Sequence, residues 1–210
     1  LTYRGYAVQE LCEKCNFEEV AYLILNGDLP NKNELSEFKK IEKNNREISD
    51  SLKSIIKNYP KKAHPMDTTR TSISHMGLED PDASNNSKEA NMRKSLRLLA
   101  KVSTAVAANF RVRKGQDIIE PNNDLDFCEN FFNMCFGKVP SKEVVKAFDA
   151  SMTLYAEHSF NASTFTSRVI TSSLSDMHGA VTGAVACLKG PLHGGANEAV
   201  AHMLNEVGSS

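Results

Sequence analysis

Two short segments near the carboxyl-terminal end of the sequence each contain a histidine beside residues that suit a binding site. Residues 156–164 read AEHSFNAST and hold His158, and residues 190–198 read GPLHGGANE and hold His193. Each histidine stands just outside the expected start of a helix, where free N–H groups and the helix dipole carry partial positive charge. Such a position disfavours a protonated imidazole and favours anions. A neutral histidine there can donate one hydrogen bond to an oxygen that is becoming negative.

The residues around His193 predict a site that a bulky ligand can approach closely. Pro191 stiffens the backbone before the histidine, and Gly194 and Gly195 remove side chains on one side of the imidazole. A ligand could therefore lie near bare backbone. Spacing alone leaves ordinary helix capping and packing as the more common role of such residues.

Other candidate motifs are weaker. Cys12 and Cys15 form a lone CxxC pair, whereas a structural zinc site normally has four ligands, so we predict two cysteines on a helix and no metal site. Four basic residues stand towards the end of the longest predicted helix: Lys101, Arg111, Arg113 and Lys114. Cations are favoured near the carbonyl end of a helix, so capping and solubility explain this basic cluster most simply. An anion site is the alternative.

Hydrophobic side chains at three- and four-residue steps predict helices along almost the whole chain. The clearest pattern is carried by Met92, Leu96, Leu99, Val102, Val106 and Phe110. Shorter helices are predicted over 16–26, 34–57, 64–77, 127–136, 141–155, 163–174, 176–188 and 196–207. Because alternating runs of strand type are nearly absent, the sequence predicts an all-α domain of about ten helices.

Small residues crowd the helix predicted over 176–188, and they would let another helix approach closely. The neighbouring helix could belong to the same chain or to a second subunit, and the sequence leaves both possibilities open.

Composition excludes several classes of protein. The net charge of −1 arises from 25 basic and 26 acidic residues, which disfavours a dedicated nucleic-acid binder. The longest stretch without a charged residue is Met177 to Leu188, shorter than the roughly 18 residues that span a bilayer, so we predict no membrane helix. Five scattered cysteines argue against a disulfide framework and predict a cytoplasmic protein.

The histidine segments resemble the citrate synthase family, which includes the 2-methylcitrate synthases. Residues 190–200 (GPLHGGANEAV) resemble the segment that carries the family's catalytic histidine, and residues 154–164 resemble its oxaloacetate-binding segment. Residues 1–6 (LTYRGY) and 64–71 (HPMD, followed by an Arg-Thr pair) resemble two further signatures. The four motifs occur in the family's order, and the similarity runs from the first residue to about Glu206.

The resemblance implies a homodimer in which residues 1–210 form a citrate-synthase-like helical large domain. It also implies condensation of an acyl-CoA with oxaloacetate, with no metal and no permanently bound cofactor. His193 would hydrogen-bond the thioester carbonyl as it becomes an enol, His158 would bind and polarise oxaloacetate, and Asn161 would help to hold it. The co-substrate would be acetyl-CoA, or propionyl-CoA in a 2-methylcitrate synthase. We favour acetyl-CoA because citrate synthase is the commoner activity.

The sequence also departs from the family's pattern. The family's third active-site histidine, its catalytic aspartate, the arginines that bind the oxaloacetate carboxylates and the small domain have no counterpart in these 210 residues. We therefore expect a large-domain fragment that is inactive alone, and CoA release by the isolated chain would contradict this. Two rival classes are a non-catalytic helical interaction module and a nucleic-acid binder that uses Arg111 and Lys114, against which the near-zero net charge argues.

Overall fold

The chain begins with a small antiparallel hairpin and continues as a series of helices. Residues 1–208 are the part that the computed structural model describes. The hairpin pairs β1 (Thr2–Tyr3) with β2 (Tyr6–Ala7). Eleven helices follow in the described part: α1 (Val8–Lys14), α2 (Phe17–Asn26), α3 (Lys32–Asn44), α4 (Asp50–Asn58), α5 (Pro65–Glu79), α6 (Lys88–Arg113), α7 (Phe127–Phe136), α8 (Lys142–Tyr155), α9 (Ala162–Ser172), α10 (Met177–Leu188) and α11 (Gly195–Val207). The prediction of an all-α domain is confirmed.

Local sequence signals account for many of the helix ends. At the start of α2 the Asn16 side chain accepts from the backbone N–H of Glu19, whose carboxylate accepts in return from the backbone of Asn16. The same reciprocal pair begins α3, with Asn31 and Glu34. These contacts satisfy N–H groups that have no partner within the helix. The helix α2 ends at Gly27, whose φ of 100° favours glycine.

The long helix α6 lies at the centre of the packing. Its buried side chains contribute to three clusters of the core, which join it to α4 and α5, to α2 and α3, and to α7. The largest cluster contains eight buried residues: Ile48, Leu52, Ile56, Ile73, Met76, Leu98, Ala105 and Ala108. The helix predicted from apolar spacing is therefore the element on which the rest of the domain is assembled.

The prediction of a single helix over 34–57 was wrong, because two helices occupy this segment. The chain leaves the helical path after Asn44, and Arg46 is buried with only 1% of its surface exposed. Its guanidinium pairs with Glu42 and donates to the backbone carbonyls of Asn122 and Leu125. A continuous helix would carry Arg46 away from these acceptors. Ser49 then begins α4 by accepting from the N–H of Leu52.

The expected end of α5 at Gly77 was also wrong, since the helix continues to Glu79. Gly77 is needed inside this helix because α10 crosses it closely. A Cβ atom at position 77 would lie 2.8 Å from the Cβ of His178. The glycine therefore serves close helix packing rather than helix termination.

The small residues of α10 allow close packing within this chain. Besides the Gly77 contact, a Cβ atom at Gly183 would collide with the end of the Ile170 side chain on α9. The sequence left open whether the helix that packs against α10 belongs to the same chain or to a second subunit. The structure shows packing against helices of the same chain. The dimer stays a prediction. No helix in residues 1–208 is long and apolar enough to cross a bilayer.

The basic cluster at the end of α6 binds groups of its own chain. Arg111 donates to the carbonyl of Cys135, and Arg113 donates to the carbonyl of Ala63 at 3.0 Å. The ammonium of Lys114 lies 4.2 Å from the centre of the Phe110 ring. These contacts support a structural role for the cluster over an anion site.

Candidate active site

The two histidine segments lie on one open cavity of about 740 Å³. His158 and Asn161 reach it from the loop between α8 and α9, and His193 reaches it from the turn between α10 and α11. His158 is exposed and His193 is half-buried. The structure therefore brings together all three residues that the sequence analysis selected. The other residues of the lining are Tyr155, Ser159, Phe160, Ser163, Leu188, Gly194 and Asn197.

The imidazole of His193 is oriented by a serine from α9. Nε2 of His193 lies 2.7 Å from Oγ of Ser163, which also lies 3.0 Å from the carbonyl oxygen of Ala184 on α10. A carbonyl can only accept, so the one hydroxyl proton goes either to Ala184 or to His193. Within residues 1–208 the other ring nitrogen, Nδ1, has no hydrogen-bond partner. It is available to a ligand in the cavity.

Asn161 holds the loop that carries His158. Its side-chain oxygen accepts from the N–H of Thr164 at 2.7 Å and so caps α9, while its amide group donates to the carbonyl of His158 at 2.7 Å. The backbone N–H of Asn161 donates to the same carbonyl. This leaves one amide proton of Asn161 for a ligand. The residue expected to bind substrate therefore also fixes the backbone at His158.

The glycines beside His193 have a different use from the one expected. A Cβ atom at Gly194 would lie 2.5 Å from the carbonyl oxygen of Leu188, and one at Gly195 would lie 3.0 Å from that of Gly190. The chain's own backbone therefore fills the space that was expected to admit a ligand. The glycines let the turn after α10 fold back tightly, and this tight turn places His193 beside Ser163.

Tyr155 and Asn197 connect the two histidine segments. The Asn197 side chain on α11 donates to the phenol oxygen of Tyr155 at the end of α8, at 3.3 Å. The Tyr155 ring meets that of His158 edge-on, with centroids 6.2 Å apart. Neither Tyr155 nor Ser163 was selected as a site residue from the sequence, although both fall within the segments that were recognised. Only the tertiary contacts identify them.

The electrostatic character of the cavity comes from two helix ends. The helix α9 begins at Asn161 and α11 begins at Gly194, so the amino ends of both helices border the cavity. Free N–H groups and helix dipoles at these ends favour anionic ligands.

The CxxC pair lies away from this cavity. Cys12 is within α1 and Cys15 directly follows that helix, and burial raises the pKa of both thiols. In the described part of the chain no group of three or more His, Cys, Asp or Glu side chains could hold a metal ion.

Comparison with known proteins decides the family. The family described as "Citrate synthase, C-terminal domain" matches residues 1–210. The chain belongs to the citrate synthase family. A protein named citrate synthase from Mycolicibacterium smegmatis is 51% identical over all of this chain and 56% of its own length. A 2-methylcitrate synthase from Mycobacterium tuberculosis is 50% identical over 99% of this chain and 52% of its own length.

A solved structure agrees with the citrate synthase fold. A ternary complex of carboxymethyl coenzyme A and oxaloacetate with citrate synthase from Thermoplasma acidophilum is 28% identical. It superposes with a TM-score of 0.91 over 98% of this chain and 54% of that one. The chain thus spans about half the length of the citrate synthases that it matches. The expected large-domain architecture of this family is confirmed.

Proposed function

We propose that the gene product containing this chain condenses an acyl-CoA with oxaloacetate, and that residues 1–210 supply the helical large domain that carries His158 and His193. The observation that supports this most directly is that both histidines line one open cavity. The family to which the chain belongs and the ligands named for the Thermoplasma acidophilum complex point to the same reaction.

His193 would stabilise the enol of the acyl-CoA. Removing a proton beside a thioester places negative charge on the thioester oxygen. A fixed donor there stabilises this charge and raises the rate by about 10²–10³-fold. Nδ1 of His193 has no other partner in the described chain and can serve as this donor. A neutral ring that carries its proton on Nδ1 needs a donor to Nε2, and the Ser163 hydroxyl can turn from Ala184 to supply one.

His158 and Asn161 would hold oxaloacetate in the same cavity. A hydrogen bond from the His158 imidazole to the keto oxygen would polarise the carbonyl carbon for attack by the enol carbon. Two helix amino ends beside the cavity suit a dianionic ligand. The base that takes the proton from the acyl-CoA would be the family's catalytic aspartate, which has no counterpart in residues 1–210. Carbon–carbon bond formation would turn the keto oxygen into a hydroxyl, with the proton donated by His158, and would give a citryl-type thioester. Water would then hydrolyse the thioester to the acid and free CoA, which would make the overall reaction irreversible.

The acyl group is the part of the proposal in which the two candidate activities differ. We propose acetyl-CoA and citrate first, with propionyl-CoA and 2-methylcitrate as the alternative. The alternative is supported by the M. tuberculosis 2-methylcitrate synthase, whose 50% identity to this chain nearly equals the 51% of the M. smegmatis citrate synthase. A pocket distinguishes two acyl groups that differ by one methylene by only about 10- to 200-fold.

The experiment is a CoA-release assay on the whole gene product, with oxaloacetate and either acetyl-CoA or propionyl-CoA. A higher kcat/KM for acetyl-CoA supports citrate synthase, and a higher value for propionyl-CoA supports the alternative. Absence of condensation with both thioesters, in a protein that is folded by circular dichroism, would reject the proposed function. A non-catalytic interaction module would then be the better account.

A homodimer in the cytoplasm also remains part of the proposal. Apolar side chains on α11 are about half or more exposed, and they offer a surface to a second copy: Val200, Met203, Leu204 and Val207. Analytical ultracentrifugation of the whole gene product tests the dimer, and a single monomeric species at micromolar concentration would contradict it.

A further inference from the structure

The beginning of α5 contacts the chain on both sides of His193. Before the histidine, Nζ of Lys189 lies 2.6 Å from Oδ2 of Asp67. After it, Oε2 of Glu198 lies 3.2 Å from Nε2 of His64. Residues 189–198, here called the His193 turn, are therefore attached at each end to one turn of another helix. We call the Asp67–Lys189 and His64–Glu198 contacts the two latches.

The first latch is charged and well oriented. Asp67 is in the first turn of α5, where the helix dipole favours a carboxylate. The hydrogen bond from Lys189 lowers the pKa of Asp67, so the carboxylate is ionised at neutral pH. Its Oδ2 binds Lys189 while Arg70 lies 3.0 Å from Oδ1. The position of Lys189 at the end of α10 is thus fixed by a charge-assisted contact.

The second latch uses a histidine whose ring orientation is set by the backbone. Nδ1 of His64 accepts from the N–H of Met66 and caps α5. In the neutral ring the proton is therefore on Nε2, the atom that faces Glu198. The anchor itself does not move easily, because Thr68, Ser72, Ile73 and Met76 of α5 are buried.

The His193 turn has little other support in residues 1–208. Leu192 is fully exposed, and no residue of α11 is buried. The hydrogen bond between Ser163 and His193 and the contact between Asn197 and Tyr155 are the remaining side-chain attachments. A small outward movement of the turn would separate His193 from Ser163.

We propose that Asp67 and His64 are positioning residues, which act through Lys189 and Glu198 to keep the His193 imidazole on Ser163 and aimed into the cavity. The catalytic part of this inference rests on the proposed function, whereas the positional part does not. The latches give the HPMD segment a role in positioning His193. This role is not apparent from the sequence, because the segment lies more than a hundred residues before His193.

The test is the rate at which diethyl pyrocarbonate modifies His193, followed by peptide mapping of the whole gene product. Asp67→Asn and Lys189→Met should each raise this rate about fivefold, because an open turn exposes the ring. The double variant should be no faster than the single variants if the two residues act as one latch. The rate at His178, which is on α10 and only 2% exposed, should stay unchanged, because modification of this buried histidine requires general unfolding.

A matched control is the ion pair between Lys53 and Glu120, with atoms 2.9 Å apart, far along the chain from His193. Lys53→Met removes a similar charge and should leave the His193 rate unchanged. If Asp67→Asn and Lys189→Met leave the His193 rate at the wild-type value, or if Lys53→Met raises it equally, the inference is overturned whatever the enzyme activity. His64→Gln, which keeps a donor, should have a smaller effect than His64→Ala.

Steady-state kinetics separate this inference from the proposed function. In an active gene product, Lys189→Met should lower kcat about tenfold with little change in KM for oxaloacetate, because His158 is not displaced. If Lys189→Met only reduces the amount of folded protein, and kcat per folded molecule stays unchanged, the catalytic role of the latch is overturned. Condensation by neither the wild type nor the variants, with the modification rates as expected, would reject the proposed function and leave the positional role supported.

Discussion

Oγ of Ser163 lies between Nε2 of His193, at 2.7 Å, and the carbonyl oxygen of Ala184, at 3.0 Å. One hydroxyl proton serves two acceptors, so the direction in which it points determines which nitrogen of a neutral His193 carries the ring proton. With the hydroxyl turned to His193, a neutral ring carries its proton on Nδ1, which has no other partner in residues 1–208 and can donate to a ligand. The serine thus controls the form of the imidazole that the proposed reaction needs.

Replacing Ser163 by alanine should lower kcat of the whole gene product by about 10- to 100-fold, because Nε2 loses the group that sets its protonation and position. Ser172→Ala is the control, since that hydroxyl is also on α9 and, within residues 1–208, bonds only the carbonyl of Val169. Steady-state CoA release measures both variants. Equal kcat values for the two variants would remove Ser163 from the mechanism.

Gly194→Ala should disrupt the turn that carries His193. The added Cβ atom would lie 2.5 Å from the carbonyl oxygen of Leu188, a backbone atom that moves only if the end of α10 moves. Overpacking of this kind costs about 1–3 kcal/mol. Gly190→Ala, with its nearest contact at 3.2 Å, should cost less. Thermal unfolding and activity of the two variants test this order, and a harmless Gly194→Ala would show that the turn is loose.

Breaking the buried pair between Glu42 and Arg46 should destabilise the fold strongly. Both side chains are 1% exposed and their charged atoms are 2.7 Å apart. Arg46→Met leaves the Glu42 charge buried without its partner, which typically costs about 3–5 kcal/mol. Lys14→Met breaks an exposed pair of the same i,i+4 spacing with Glu10, and should change stability by less than about 0.5 kcal/mol. Denaturant unfolding compares them, and similar midpoints would contradict the prediction.

His178 should make the unfolding free energy depend on pH below neutrality. Burial lowers its pKa from the ordinary 6.5, even though Asp80 lies 3.4 Å from Nε2. The charged groups that face it are Asp80, Asp176, Lys94 and Arg97. Because the folded protein binds this proton less readily than the unfolded chain, stability is retained above about pH 6.5 and falls as the pH decreases below it.

The measurement for His178 is the unfolding free energy between pH 7 and pH 5. One group contributes a slope of at most about 1.4 kcal/mol per pH unit. His178→Gln should remove this part of the slope, whereas His202→Gln, on the exposed surface of α11, should leave it unchanged. Identical slopes for the wild type and His178→Gln would show that the buried imidazole does not contribute.

The sequence predicts helices best where their ends and faces are determined locally. The apolar spacing of 92–110 predicts the core of α6, and α7 was predicted with the bounds that are observed, since Gly137 ends it with a φ of 73°. The division between α3 and α4 was missed because it depends on Arg46 reaching carbonyls about eighty residues away. Gly77 was misinterpreted because its neighbour in the fold, His178, is about a hundred residues later in the sequence.

The candidate site divides in the same way. His158, Asn161 and His193 were recognised because their segments resemble those of a family, and the structure places all three on one cavity. Ser163 was missed as a functional residue because nothing local links it to a histidine thirty positions later. Their contact exists only once α9 has packed against α10, through Ser163 and Ala184.

The most direct test of the central claim is kcat for CoA release by His193→Ala in the whole gene product, with oxaloacetate and the preferred acyl-CoA. Loss of a donor to the enol oxygen should lower kcat by about 10²–10³-fold, while His202→Ala, on α11 and outside the cavity lining, should keep the wild-type value. A wild-type kcat in His193→Ala would contradict the assignment of this cavity as the site of condensation.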